Sequence, residues 1–283
     1  MLEHQHGFSV TRMAMVLRVS RRGYYDWCKN GSKPSNRALK QQSRDMKIKE
    51  LFDDSKGRYG ATRIQKDLAE DGAPAAIKTI RESMHRQHLV PKAAKKFKVT
   101  TDSEHQLPIA DNLIERDFSA DAPNQKWVQD ITYLWTSEGW LYLAVVIDLY
   151  SRAVVGWSMK KRMKASLVTD ALTMAIFRRG MPKNVIVHSD RGRQYCSHAY
   201  RDLTSKHNFK ISMSRKGDCW DNAVAESFFH SLKVEAIQYE PVMTRNEMRQ
   251  AVFEYIDVDY NRKRRHSAIG YESPFNFELK KIA

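Results

Sequence analysis

Three runs follow one another with almost nothing between them: "KWVQDITYLWT" (126–136), "WLYLAVVIDLY" (140–150) and "RAVVGWSM" (152–159). They are rich in Val, Ile, Tyr and Trp, the residues that suit a pleated, half-buried surface. Only Ser137-Glu138-Gly139 separates the first two, and the third begins at once. Connections that short join antiparallel neighbours and nothing else, so this part of the chain is held to a three-stranded meander. The pattern then changes. Val168, Ala171, Leu172, Ala175 and Ile176 line one face of a helix, and Gly180 and Pro182 stop it. "NVIVHS" (184–189) reads as a strand, "HAYRDLTSKH" (198–207) as a helix and "FKISMS" (209–214) as a strand. "DNAVAESFFHSLKVEAI" (221–237) reads as a helix with Asp221 as candidate N-cap, and 245–260 as one more. The order βββαβαβα, antiparallel first and with crossover helices later, predicts an α/β fold: a mixed five-stranded sheet with flanking helices.

The first third is of another kind. Residues 9–28, "SVTRMAMVLRVSRRGYYDWC", read as two short helices. Val10, Met13, Ala14 and Leu17 form one buried face, and Ser20 is the N-cap of the second helix. Arg21 and Arg22 fall in its first turn, where cations oppose the helix dipole. That suits a helix end that meets phosphate, and equally a small helical hairpin with a solvated basic end. A charged helix with Met46, Leu51 and Phe52 is expected over 36–54. "YGATRIQKDLAEDG" then carries Ile64 and Leu68 to a stop at Gly72, and "APAAIKTIRESMHRQHLV" carries Ile77, Ile80 and Met84. Helix, Gly-containing turn and helix make a helix-turn-helix outline, although any small helical bundle has it too. Lys78, Arg81 and Arg86 would face DNA from its outside.

Charge separates the same two parts. Residues 1–100 hold 22 Lys/Arg and 10 Asp/Glu, so +12 of the chain's formal +15 lies there. An excess of that size favours a polyanion through counterion release. Periodicity is lost over 91–108, between Pro91 and Pro108. The division expected is a helix-turn-helix-like segment at 1–35, a second helix-turn-helix DNA-binding domain at 36–98, a linker at 99–120, a mixed-sheet core at 121–240 and a helical, basic extension at 241–283. No run approaches the roughly 18–20 apolar residues of a membrane helix, and "MLEHQHGFSV" is no secretory signal. The three cysteines, Cys28, Cys196 and Cys219, form no Cys-x-x-Cys pair, which excludes a zinc knuckle and fits a reducing cytoplasm.

Three acids sit where a structural role explains them poorly. Asp130 interrupts the first strand, Asp190 ends the fourth, and Glu226 lies a turn into a helix. Acids are unfavourable in strand interiors and expensive to bury unpaired. If the first and fourth strands are neighbours, Asp130 and Asp190 stand side by side, and a helix across that edge adds Glu226. Such a group repels itself unless cations hold it. Carboxylates suit Mg²⁺, whereas Cys or His would suit zinc. A pair of such ions can grip the attacking and leaving oxygens of a phosphoryl displacement. Arg191, Arg193, Arg215 and Lys216 would bind the DNA backbone around them. His188 shares the strand face of Asp190 and reads as packed. Asp148 reads as a turn or ion-pair residue, and Trp220 and Asn222 as shaping the turn before the helix.

Asp190 and Glu226 have 35 residues between them, and with Asp130 they make an Asp, Asp-35-Glu triad. With "KWVQDITYL", "HSDRGRQYCS", "GDCWDNAVAESFFHSLKVE" and "YNRKRRHSAIGYESPFNFE", essentially the whole chain resembles the OrfB-type transposases of bacterial insertion sequences. These are DDE-family enzymes related in design to retroviral integrases. The resemblance implies a ribonuclease H-like core whose triad is catalytic and binds two Mg²⁺ (or Mn²⁺). It implies nicking at the element ends and then attack of the freed 3′-hydroxyl on another phosphodiester, with no covalent protein–DNA intermediate. Lys233 matches a Glu-x6-Lys spacing of related transposases in which the lysine contacts DNA. The Tyr and Arg that precede Glu in those relatives fall at Cys219 and Asn222, so that part of the pattern is absent. Arg262, Lys263, Arg264, Arg265 and His266, with Tyr260 and Tyr271 interleaved, are expected at DNA. Double-stranded DNA would be the partner, and pairing two ends implies a homodimer or larger. An upstream-frame, OrfA-like protein or fusion would supply the leucine zipper that this chain lacks. The place would be the bacterial cytoplasm, at the nucleoid, with no membrane. Two other readings share much of this sequence: a DNA-binding module without strand chemistry, and a nuclease without strand transfer.

Overall fold

The meander is β1 (Lys126–Thr136), β2 (Gly139–Asp148) and β3 (Val154–Lys160). In this computed structural model, which describes every residue except 32–33, 93–109, 216–221 and 283, β1 and β2 pair one to one from Trp127↔Asp148 to Thr136↔Gly139. The β2–β3 pairing slips once, between Val146 and Ile147. β4 (Ile186–Ser189) runs parallel to β1, and β5 (Lys210–Met213) parallel to β4. The order β3-β2-β1-β4-β5 is the mixed five-stranded, ribonuclease H-like sheet that was expected.

Strand alternation sends successive side chains to opposite faces, and both faces are covered. Trp127, Ala144, Val146 and Val155 pack under α6 (Ala165–Arg178) and α7 (His198–Lys206). Val128, Leu134, Leu143, Val145 and Ile147 pack under α8 (Ala223–Leu232) and α9 (Arg245–Phe253). Gly156 lets α6 come close to β3. A Cβ there would overlap the Ala171 carbonyl oxygen and lie 2.7 Å from the Ala175 nitrogen and 2.8 Å from its Cβ. Two of the three obstacles are backbone and cannot turn away. Gly156→Ala is therefore expected to cost about 3 kcal/mol, the upper part of the overpacking range, read as a lower urea midpoint.

α8 and α9 each run on into a π-helical stretch, Lys233–Ile237 and Glu254–Tyr260. α10 (Pro274–Ile282) closes the chain and was not anticipated. Its signal was present: Ser273 Oγ accepts the Asn276 N–H as an N-cap does, and Pro274 occupies the first helical position, where a missing N–H does no harm. Residues 110–120, expected within a linker, are laid along the sheet. Leu113 N–H donates to Ser212 Oγ, Met213 N–H to the Asp111 carbonyl, and Ile114 is buried in the core.

The chain divides into two compact units, Met1–Val90 and Pro91–Ala283. The first is all helical: α1 (Val10–Val16), α2 (Arg21–Asn30), α3 (Asn36–Asp54), α4 (Ala61–Glu70) and α5 (Ile77–Arg86). Ser9, Ser20 and Ser35 cap the first three. Ile48, Phe52, Ile64, Leu68, Ile80 and Met84 form the core of α3–α5. The expected buried face of α1 is corrected. Only Ala14 is buried, and Leu17 lies past the helix end with more than half its surface exposed. Seven residues, two turns, are too short to bury a stripe that spans eight. Among the described residues no helix is long and apolar enough to cross a membrane.

Candidate active site

The parallel register of β1 and β4 fixes two acids. Lys126 pairs with Ile186, Trp127 with Val187 and Val128 with His188. Carried on by two residues, Asp190 comes level with Asp130, on the same face because both steps are even. β4 ends at Ser189, so beyond Val128 that edge of β1 is open, and Asp130 stands in the opening. The turn after β4 is shaped to present Asp190. Its Oδ1 accepts the Gly192 N–H at 2.9 Å, and a Cβ on Gly192 would come within 2.9 Å of that same oxygen. His188, fully buried, lies 2.8 Å from Ser212 Oγ on β5, a packed role as expected. Arg191 Nε donates to the Ser214 carbonyl, tying the loop to the end of β5.

Glu226 lies exposed in the first turn of α8, where a carboxylate complements the helix dipole. Burial, and then the charge of Asp190, hold the Asp130 carboxyl well above the usual carboxylate range; Glu226 adds to the rise, and Ile131 N–H and Lys233 oppose it. Desolvation alone raises Glu226. Among the described residues no three His, Cys, Asp or Glu side chains already stand as a metal-holding group. The acids that act on Asp130 are nevertheless Asp190 and Glu226, carboxylates that fit a hard divalent cation and not zinc.

The raised Asp130 has a consequence for stability. The folded protein holds this proton at a pH where the unfolded chain, near 3.8, has lost it. Metal-free stability therefore falls as pH rises from about 4 through the raised folded value, and below that window the group has no effect. Thermal unfolding in EDTA across this range is expected to show the fall, and Asp130→Asn to flatten it.

Tyr195 was missed. It is buried, its hydroxyl has no hydrogen-bond partner among the described residues, and burial with the charges of Asp130 and Asp190 pushes it well above the ordinary tyrosine range. Its place five residues after Asp190, in a word otherwise polar, was the available signal. Asp148 is buried against Arg179 at 2.8 Å and accepts the Asn124 and Tyr150 N–H groups, a structural acid. Asn222, buried, precedes α8; Asp221, Trp220, Cys219 and Lys216 lie outside the described residues.

The basic residues divide. Arg193 and Arg215 are exposed, and Lys233 reaches over the Tyr133 ring, 5.2 Å from its centre. Arg21, Arg22, Lys78 and Arg81 are exposed on the N-terminal unit. Arg86 is exposed as well and makes a bidentate pair with Asp45. One expectation is corrected. Arg264, expected at DNA, is nearly buried: its guanidinium lies on the Glu235 carboxylate at 2.8–3.1 Å and on Ser231 Oγ at 2.9 Å. Its donors face inward.

Comparison with known proteins adds to this geometry. Residues 120–219 and 226–282 match models of the integrase core domain, and 39–97 a model of an HTH-like domain. The chain is 53% identical over 281 residues to the transposase InsF for insertion sequence IS3A of Escherichia coli (strain K12), covering 99% of this chain and 98% of that protein. It is 41% identical over 268 residues to the insertion element IS600 uncharacterized 31 kDa protein of Shigella sonnei, covering 95% and 98%. A chain of the simian T-cell lymphotropic virus intasome solved with PP2A regulatory subunit B56 gamma is similar at 20% identity and a TM-score of 0.47, over 76% of this chain and 70% of that one. With half its sequence shared along the full length and an integrase core around the paired acids, the chain belongs to the InsF-type transposases of the IS3 insertion sequences, enzymes of DNA transposition and integration.

Proposed function

We propose that Asp130, Asp190 and Glu226 are the catalytic acids of this transposase and that together they hold two Mg²⁺, for which Mn²⁺ can substitute. The observation that carries this is the β1–β4 register, which sets Asp130 level with Asp190 at an open sheet edge. When bound, such ions supply charge stabilisation to the attacking and leaving oxygens. The chain's own part is to hold the carboxylates in place: Ile131 N–H on Asp130, Gly192 N–H on Asp190, and the rigid first turns of α8 under Glu226. In the first step water attacks the phosphorus at the element end. The 3′-oxygen leaves with a proton, which gives a 3′-hydroxyl and a 5′-phosphate. In the second, that hydroxyl attacks another phosphodiester, its proton passes to solvent, and the target's own 3′-oxygen leaves with a proton taken from solvent, as a 3′-hydroxyl. No bond to the protein forms.

Arg193 and Lys233 contact the DNA backbone at this site, with Arg191 shaping the loop beside it; Arg21, Arg22, Lys78 and Arg81 contact it from the helical unit. Pairing two element ends requires at least two copies. An upstream-frame, OrfA-like protein or fusion supplies further end recognition, and the work takes place at the nucleoid in the bacterial cytoplasm. The test is incubation with duplexes that carry the ends of the element, with Mg²⁺ and a plasmid target. Joined products are expected. Cut ends without joined products would leave a nuclease, and binding without cutting would leave a DNA-binding module.

A further inference from the structure

The far end of the β1–β2 hairpin carries three aromatic side chains, Tyr133, Trp135 and Trp140, that neither core absorbs, beside Tyr142, which packs against the core under α6 and α7. Tyr133 and Trp135 stand opposite Tyr142 and Trp140, so all four share one sheet face. Trp135 and Trp140 meet edge to face at 4.7 Å, and Tyr133 and Trp140 at 5.1 Å. Cross-strand aromatic pairs steady a hairpin, but here Trp135 keeps 57% and Trp140 44% of its surface exposed. The hairpin is secured by other means: Ser137 N–H donates to the Met243 carbonyl at 2.8 Å, and Arg245 N–H to Glu138 Oε2 at 2.6 Å, just at the start of α9. The aromatic group is a fixed shelf.

Two connections lead from it to the acids. Lys233 lies over the ring of Tyr133, and its charge is felt by Asp130. On the other side, the register partner of Tyr142 is Lys160, the last residue of β3. The chain continues as Lys161-Arg162-Met163-Lys164, all exposed, and the Met163 carbonyl accepts from Gln194 Nε2 at 3.0 Å, in the loop that presents Asp190. The shelf is thus rimmed by cations that are tied to the catalytic loop. Trp135 is five residues along the strand from Asp130, roughly 16 Å, the reach of about five nucleotides at ~3.4 Å each. The step is odd, so the shelf lies on the opposite sheet face, and a strand running from the acids to it crosses the edge of β1 that β4 leaves open.

We infer that Tyr133, Trp135 and Trp140 form a stacking site for unpaired bases of the DNA strand that passes the acids, with Lys161, Arg162 and Lys164 holding its phosphates. Every base offers a π-face to such a shelf whatever its sequence. The basic rim selects a polyanion over an apolar peptide. This rests on DNA being the polymer handled at Asp130 and Asp190.

The test uses the full chain in EDTA, so that no strand is cut. Two duplexes of one sequence are compared, one blunt and one with five unpaired terminal nucleotides that include 2-aminopurine. The wild-type protein is expected to quench the 2-aminopurine on binding and to prefer the unpaired end. The double change Trp135→Ala, Trp140→Ala is expected to abolish the quenching and weaken binding of the unpaired end about ten- to hundredfold, the range that loss of one stacked base gives. Blunt-duplex binding should stay within about twofold, and the Phe, Phe variant should keep most of the preference. An unquenched base in the wild-type complex, equal losses on both duplexes, or an altered oligomeric state in place of altered DNA binding would overturn the assignment. Wild-type binding to neither duplex would remove the DNA reading as well, which separates that failure from failure of the shelf alone.

Discussion

Asp130→Asn and Asp190→Asn are each expected to lower strand cleavage and joining by at least about a thousandfold while DNA binding stays within about twofold. The reasoning is electrostatic. A divalent cation supplies several kcal/mol of charge stabilisation to a phosphoryl transition state, and each ~1.36 kcal/mol is tenfold in rate. Asparagine keeps the size and one oxygen but not the charge that holds the ion. Glu226→Gln should behave likewise. Cleavage is read on end-labelled duplex, joining by transfer of label to plasmid, and binding by mobility shift in EDTA. If all three variants still cut, the acids have been misassigned.

The second large effect lies away from the chemistry. Arg264→Ala is expected to destabilise the catalytic unit by roughly 3–5 kcal/mol, the usual result of leaving one buried charge unpaired. Glu235, the charge it leaves, is buried in the π-helical stretch after α8 and also accepts the Tyr255 hydroxyl at 2.9 Å. The Arg264 guanidinium also lies 5.6 Å from the Tyr260 ring centre. Lysine cannot reproduce the two-pronged contact, so Arg264→Lys should recover little. Arg264→Met with Glu235→Leu should recover most of the loss, because an apolar pair in place of a buried ion pair is often neutral. Were Arg264→Ala instead to weaken DNA binding with stability unchanged, Arg264 would be a DNA contact after all. α8 carries Glu226 nine residues before Glu235, so this pair also steadies the helix that presents the third acid.

Strand-forming residues are local, and the meander, β4 and β5 could be read from them. The pairing of β1 with β4 was not local: nothing in "NVIVHS" names its neighbour, and the adjacency that brings Asp190 to Asp130 entered only as a condition that would explain the misplaced acids, which the resemblance then supported. Arg264 was misread for a related reason. Its run "YNRKRRHS" looks like a solvated basic segment, while the acid that takes it inward lies 29 residues earlier. Leu17 shows the opposite error, since helical spacing supplies a face but not anything to cover it. The basic stretch 161–164 gained meaning only when Gln194 was seen to tie it to the Asp190 loop.

The central claim is that Asp130, Asp190 and Glu226 answer to the same cations, although Glu226 sits exposed on its helix while Asp130 and Asp190 are already level. Mn²⁺ titration of the DNA-free protein, followed by electron paramagnetic resonance, tests this most directly. Asp130→Asn, Asp190→Asn and Glu226→Gln are each expected to weaken Mn²⁺ binding at least about tenfold, as loss of a group that supports a metal does. Glu226→Gln protein that binds Mn²⁺ as tightly as the wild type would contradict the claim.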